Sequence, residues 1–255
     1  YDMAKKIIRL LCCLSRRCAA DPNISLLLQV IYLENYNVSK AERIIPAAEL
    51  SQQISAAGWE ASGTGNMKLA MNGALTIGTE DGANIEMRQE VGDEWWPFRF
   101  GSSADELVKL RQTNTYDPRS IYDGDTAIQK ALNALTDRSL AESEEEHQTF
   151  QSIFQSLLDG PHADPYFCIK DLRNYYDTQR RVEQLYQQPY AWAELSIHNI
   201  AGMGKFSTDN SIQHYCQDIW DVQPCPMDPE ILAKVRHDYS EHDRRRVFVE
   251  SDPST

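Results

Sequence analysis

The stretch richest in chemistry is EASGTGNMKLAMNGALTIGTEDGAN, residues 60–84, which holds five glycines and a single lysine, Lys68. Glycine beside lysine is a common way to hold phosphate, because small residues let backbone N–H groups approach an anion that the amine neutralises. Two familiar phosphate motifs fail on spacing. A P-loop has glycine directly before its lysine and serine or threonine directly after it, whereas Met67 and Leu69 flank Lys68. The dinucleotide fingerprint needs a third glycine where Lys68 stands and a strand immediately before it, and neither is there. TGNMKLAMNG can instead open a helix, with Thr64 and Gly65 in its first turn, where free N–H groups and the helix dipole favour an anion. Thr64 and Lys68 then share a face, about 6 Å apart along the axis. A phosphate at the first turn and an amine one turn later match pyridoxal 5'-phosphate, with Lys68 as its covalent anchor. Spacing alone also fits a surface helix with a solvated lysine, and taken by itself favours it.

The elements that must position this lysine alternate. Residues 3–18 carry apolar side chains at Met3, Ile7, Leu11, Leu14 and Cys18, which is helical spacing. LLLQVIYLEN, from residue 26, reads as a strand whose continuous apolar run suits a parallel sheet. SKAERIIPAAEL is expected to be helical up to its proline, ALTIGT (74–79) a strand, GANIEMRQEV a short helix, and WWPFRF (95–100) a third strand. SADELVKL opens with a capping signature, Ser103 followed three residues later by Glu106. Strand alternating with helix predicts an α/β domain with a partial Rossmann-like parallel sheet. Three strands are few for such a sheet, so it is expected to continue upstream of Tyr1. From about residue 125 the chain turns helical: DTAIQKALNALTD, EEHQTFQSIFQSLL, DLRNYYDTQRRVEQLY, AWAELSIHNIAG and DNSIQHYCQDIW. Prolines then cluster, and residues 223–255 read as a mobile tail. The acidic run Glu144–Glu146 reads as a solvated helix face and Arg244–Arg246 as a solvated tail segment. No internal repeat is visible.

Composition narrows the function. The 255 residues are 42% hydrophobic and 25% charged, ordinary for a globular protein. No apolar run approaches the roughly 20 residues that span a bilayer. A net charge of −13 argues against non-specific nucleic-acid binding. The six cysteines form no C-x-x-C pair and no zinc spacing, so no metal site is expected and free thiols in a reducing, cytoplasmic compartment are.

The full stretch EASGTGNMKLAMNGALTIGTEDGANIE closely resembles the cofactor-lysine segment of the glycogen, starch and maltodextrin phosphorylases. VIYLENYNVSKAERIIPAAELSQQIS (30–55) resembles the segment before it, and HNIAGMGKFSTDNSIQHYCQDIW (198–220) the family's final helices. The resemblance implies that Lys68 carries pyridoxal 5'-phosphate and that Thr64 and Gly65 hold the cofactor's phosphate. Glu60, Ser62 and Gly63 would bind the hydroxyls of a glucosyl unit. Tyr36 falls in the segment that lines the cofactor pocket, although a tyrosine after a strand is as often core. Trp59, beside Glu60, could border the sugar pocket but fits ordinary packing better, and the other tryptophans read as core. His198 and His214 read as packing or surface residues. In the family the cofactor's phosphate exchanges a proton with inorganic phosphate, which captures the terminal glucosyl unit of an α-1,4-glucan as α-glucose 1-phosphate. No pair of catalytic carboxylates is then needed.

The resemblance further implies a two-domain GT-B architecture, of which residues 1–222 form most of the C-terminal domain. The N-terminal domain, the early strands and a basic phosphate-holding segment would lie outside this sequence, leaving residues 1–255 inactive alone. A homodimer of the full-length enzyme is left open. Two other readings stand beside this one: a nucleotide-sugar glycosyltransferase of the same architecture, and a non-catalytic carbohydrate-binding remnant.

Overall fold

A computed structural model describes residues 1–223, 225 and 227–249, with side chains to residue 240. The chain divides into two units, Tyr1–Phe206 and the residues from Ser207 onward.

The first unit is α/β. Helix α1 (Asp2–Ala20) leads through an irregular segment to α2 (Val38–Ile44), a 3-10 turn (Ile45–Ala47) and strand β1 (Leu50–Gln53). Helix α3 (Gly65–Met71), strand β2 (Leu75–Thr79), helix α4 (Ala83–Val91) and strand β3 (Arg99–Phe100) follow, so that helix and strand alternate. The three strands pair in parallel, in the order β1-β2-β3. Leu50 lies opposite Leu75, Gln53 opposite Gly78, and Thr79 opposite Phe100. The central strand β2 is buried along its whole length, as a strand flanked on both edges requires. Leu75 and Ile77 pack with Phe98, Phe100, Val182, Trp192 and Leu195, while Ala70, Ala83, Met87, Trp96 and Met203 form a second core beside α3 and α4.

The remaining helices are α5 (Ala104–Thr113), α6 (Pro118–Gly124), α7 (Thr126–Asn133), α8 (Glu144–Leu158), α9 (Cys168–Tyr186) and α10 (Pro189–Gly202). Their starts follow the capping rules. Ser103 Oγ accepts from Glu106 N, as its signature predicts. Asp125 caps α7 and Ser143 caps α8. Asn114, left-handed at φ 49°, ends α5.

Several expectations need correcting. Residues 26–33 are not a strand. Leu26, Leu27 and Ile31 are 86%, 88% and 71% exposed, and no strand pairs with them among the described residues. An apolar run becomes a strand only where a neighbour accepts its hydrogen bonds. The third strand is instead β1, whose LSQQ carries no alternating apolar pattern and is held by its pairing with β2.

The buried side of α1 is also turned from the expected stripe. Met3, Leu10 and Cys13 pack into the core with α7 and α8, whereas Ile7 and Leu11 are exposed. The reason is Glu146. It is not on a solvated face but 3% exposed, accepting from Arg9 Nε at 3.1 Å, Arg16 Nη2 at 2.7 Å and Glu142 N at 3.0 Å. A buried carboxylate needs such partners, and α1 rotates to present both arginines. His198 packs as expected, its ring stacked on Trp95 at 3.6 Å.

The second unit contains α11 (Thr208–Tyr215), a π-helical turn (Cys216–Trp220) and α12 (Pro229–Val249). His214 is exposed there, as expected of a surface residue, but Trp220 is 53% exposed and not core. The segment expected as a tail therefore contains a helix. The side chains of Arg244–Arg246 and all of residues 250–255 lie outside the described residues.

Candidate functional site

The glycine-rich loop lies where a parallel sheet offers ligands a place, outside the carboxyl ends of its strands. It runs from the end of β1 to the start of α3, beside the turn that leaves β2. Contacts from that turn shape it. The carboxylate of Asp81, 6% exposed, accepts from Gly58 N and Glu60 N, both at 2.8 Å. Ala83 N donates to Ser62 O at 2.7 Å. Thr79 Oγ1 donates to Ser55 O at 2.7 Å. The amide of Asn66 donates to Asn84 Oδ1 at 2.9 Å, and Asn84 Nδ2 donates to Thr79 O at 3.1 Å. Both asparagines are buried, so their amides are committed to this junction.

Gly82 makes the closeness possible. It sits at φ 50°, ψ −142°, and a Cβ there would come within 2.5 Å of Ser62 O and 3.1 Å of Glu60 Cγ. No other residue fits both the backbone and the space. Gly78, inside β2, is constrained for a related reason: a Cβ would lie 2.7 Å from Asn84 Nδ2.

Glu60, Ser62 and Gly63 line one small polar cleft of about 40 Å³ with Asn66, Asp81 and Asn84. Ser62 Oγ donates to Gly63 O at 2.9 Å, which leaves its lone pairs available.

Thr64 caps α3 without a side-chain bond of its own, and its hydroxyl makes no hydrogen bond among the described residues. Lys68 N donates to Thr64 O, closing the first turn. The N–H groups of Gly65 and Asn66 have no acceptor among the described residues, and open space surrounds the missing Cβ of Gly65. Lys68 is exposed, and its amine forms no ion pair or hydrogen bond among the described residues. Unpaired N–H donors, a free hydroxyl and an unpaired amine, four residues apart on one helix, fit a ligand carrying both a phosphate and an aldehyde.

The geometry thus gathers Glu60, Ser62, Gly63, Thr64, Gly65 and Lys68 on one continuous loop and first turn. Tyr36 lies on the irregular segment before α2, 60% exposed, and makes no hydrogen bond to this loop among the described residues. Trp59 turns away. Its ring lies 4.3 Å beneath the Arg111 guanidinium and 5.3 Å from Tyr166, on a separate cavity of about 510 Å³.

Sequence reasoning did not single out Asp81, Gly82, Asn66 and Asn84. The available signal was an Asp-Gly pair one residue past a strand, followed two residues later by asparagine.

A parallel sheet with a polar, glycine-shaped loop at its carboxyl ends makes this an α/β protein, and residues 1–222 match the family described as carbohydrate phosphorylase: the chain belongs to it. Among curated relatives, the glycogen phosphorylase of Bacillus subtilis is 46% identical over 224 residues, covering 88% of this chain and 27% of that protein. The glycogen phosphorylase of Chlamydia trachomatis is 46% identical over 222 residues, covering 87% and 26%. The muscle form of human glycogen phosphorylase is 43% identical over 224 residues, covering 88% and 26%. The chain therefore spans about a quarter of the length of the curated relatives it matches.

Proposed function

We propose that this chain supplies the cofactor lysine and part of the glucosyl-binding surface of an α-1,4-glucan phosphorylase. The observation that carries the reading is the uncommitted set at the start of α3, the Lys68 amine with the Gly65 N–H and Thr64 hydroxyl, in a chain of the carbohydrate phosphorylase family. The relatives' names favour phosphorolysis over transfer from a nucleotide sugar.

In this reading Lys68 anchors pyridoxal 5'-phosphate, while Thr64 Oγ1 and Gly65 N–H hold its phosphate, aided by the helix dipole. When bound, the cofactor supplies a phosphate that exchanges a proton with inorganic phosphate. Glu60 accepts from two neighbouring hydroxyls of the terminal glucosyl unit, and Ser62 with the Gly63 N–H completes the contact. Tyr36, exposed just before α2, would border the cofactor.

The whole enzyme would have two Rossmann-like domains of GT-B type, act on α-1,4-glucan and inorganic phosphate in the cytoplasm, and have the option of dimerising. Residues 1–222 would be most of one domain and the residues after them an appendage. Six free cysteines suit that compartment. Among the described residues no helix is long and apolar enough to cross a membrane. Residues 1–255 alone would not turn over glucan, because reaction needs phosphate, sugar and cofactor held together in a closed cleft.

Borohydride reduction of the full-length protein followed by peptide mapping tests the assignment. The pyridoxyl group is expected on Lys68, and Lys68→Ala is expected to lose the cofactor while keeping the fold. A pyridoxyl group on another lysine, or none, overturns it.

A further inference from the structure

Glu60 projects from a loop of a few residues that contains two glycines, Gly58 and Gly63, both at positive φ. A carboxylate on such a loop would sample many directions unless its backbone were fixed. Its own side chain does not fix it: Glu60 makes no side-chain hydrogen bond or ion pair among the described residues. The fixing comes from the turn after β2. Asp81 places one carboxylate oxygen on Gly58 N and the other on Glu60 N, both at 2.8 Å. Charge-assisted bonds to both ends of a three-residue span leave its peptide planes little freedom. Gly82 lets the Glu60 side chain lie against the backbone, where a Cβ would be 3.1 Å from Glu60 Cγ. Ala83 N holds Ser62 O, so the clamp spans residues 58 to 62. Asp81 is itself held, with its N–H donating to Thr79 O at 2.9 Å and its carbonyl accepting from Asn84 N at 3.2 Å.

We infer that Asp81 is a positioning residue for sugar binding, its carboxylate fixing through Gly58 N and Glu60 N the direction in which Glu60 meets the glucosyl hydroxyls. The inference rests on the reading of Glu60 given above. Asp81 lines the same cleft as Glu60. Its two oxygens are both engaged by backbone N–H groups, so it acts only through the loop. The clamp grips the sugar side of the loop and leaves Lys68 alone, so losing it separates sugar affinity from cofactor attachment.

The test uses the full-length enzyme and two isosteric substitutions, Asp81→Asn and Glu60→Gln, singly and together. Asp81→Asn keeps the shape but turns an amide N–H₂ toward one of the two donors. Binding of glucose 1-phosphate is measured by titration calorimetry, with phosphorolysis rates, cofactor absorbance and melting temperature alongside. Asp81→Asn is expected to weaken glucose 1-phosphate binding by about tenfold, as losing one charge-assisted hydrogen bond does, with cofactor content unchanged. In the Glu60→Gln background the same substitution is expected to cost less than about threefold, because residues acting as one unit are not additive. Equal losses in both backgrounds, or no loss from Asp81→Asn in either, overturn the positioning role while leaving Glu60 as a ligand. A silent Glu60→Gln overturns the reading of Glu60 and the inference with it. Should Asp81→Asn fail to fold, Asp81→Glu takes its place in the same cycle, keeping both acceptors and the charge but shifting them by one methylene. A loss that shrinks in the Glu60→Gln background again supports the positioning role, and equal losses or none again overturn it.

Discussion

Two stretches of the first unit run for about ten residues without a regular ladder, the loop from 54 to 64 and the segment from 24 to 36. Their compositions suggest opposite fates. The first is rich in glycine and small polar residues, and the second holds Leu26, Leu27, Leu28, Ile31 and Leu33. The loop is nevertheless the better held, with N–H groups of residues 58 and 60 on a buried carboxylate and a carbonyl at residue 62 on Ala83. The apolar segment has most of its large side chains in solvent, and its hydrogen bonds among the described residues are local, in the turns at residues 21–28 and from the Asn37 and Lys40 side chains. Irregular backbone is fixed by partners for its N–H and C=O groups, and hydrophobicity does not substitute for them. The loop finds those partners because two paired strands end beside it.

The sharpest way to break this comparison is Gly82→Ala. It forces a side chain onto a left-handed backbone and into Ser62 O and Glu60 Cγ. Strain and overpacking together are expected to cost about 2–4 kcal/mol, read as a fall in unfolding free energy in urea. A variant as stable as wild type would mean that the clamp is not tight.

Next in size is Glu146→Gln, which tests whether the apolar segment is held from its α1 end. The carboxylate is buried but both arginines are about half exposed, so solvent discounts the loss to about 1–2 kcal/mol. Burial works to raise the Glu146 pKa, but Glu142 N, Arg16 and Arg9 outweigh it and hold it below the ordinary range. A depressed native pKa gives stability that is present above the unfolded value and lost as pH falls through the native one. The stability difference between wild type and Glu146→Gln is therefore expected to shrink as pH drops below about 4.3. A difference constant from about pH 7 to pH 3 would show that Glu146 contributes no charge-dependent stability.

The smallest effect belongs to Leu27→Ser. At 88% exposure it is expected to change stability by less than about 0.5 kcal/mol. A cost comparable with Gly82→Ala would show that this leucine is buried in solution.

Legibility in the sequence follows the same division. The long helices are readable because the 3.6-residue period and capping residues act locally, as Ser103 with Glu106 shows. So is β2, where Leu75 and Ile77 alternate with threonine and glycine and every residue is buried. LSQQ is not, since β1 is a strand through its neighbour and buries Ser51 rather than a large apolar side chain. At the site, the residues that face outward are those whose chemistry identifies them, Glu60, Thr64 and Lys68. The groups that hold them face inward across some twenty residues of chain, as Asp81 does to Gly58 and Glu60. Nothing in the residue types alone distinguishes a clamping aspartate from a solvated one.

The carboxylate of Glu146 also sets a timetable. Its partner Arg9 lies 137 residues earlier in the chain. At a synthesis rate of about 5–20 residues per second, α1 leaves the ribosome on the order of ten seconds before the helix it docks against. Through that interval Met3, Leu10 and Cys13 lack the α7 and α8 side chains they pack against, and two arginines wait without their acceptor. The helix nearest the start of this sequence thus docks only once α8 has emerged. A nascent chain stalled before α8 would present that apolar stripe to whatever chaperones attend it.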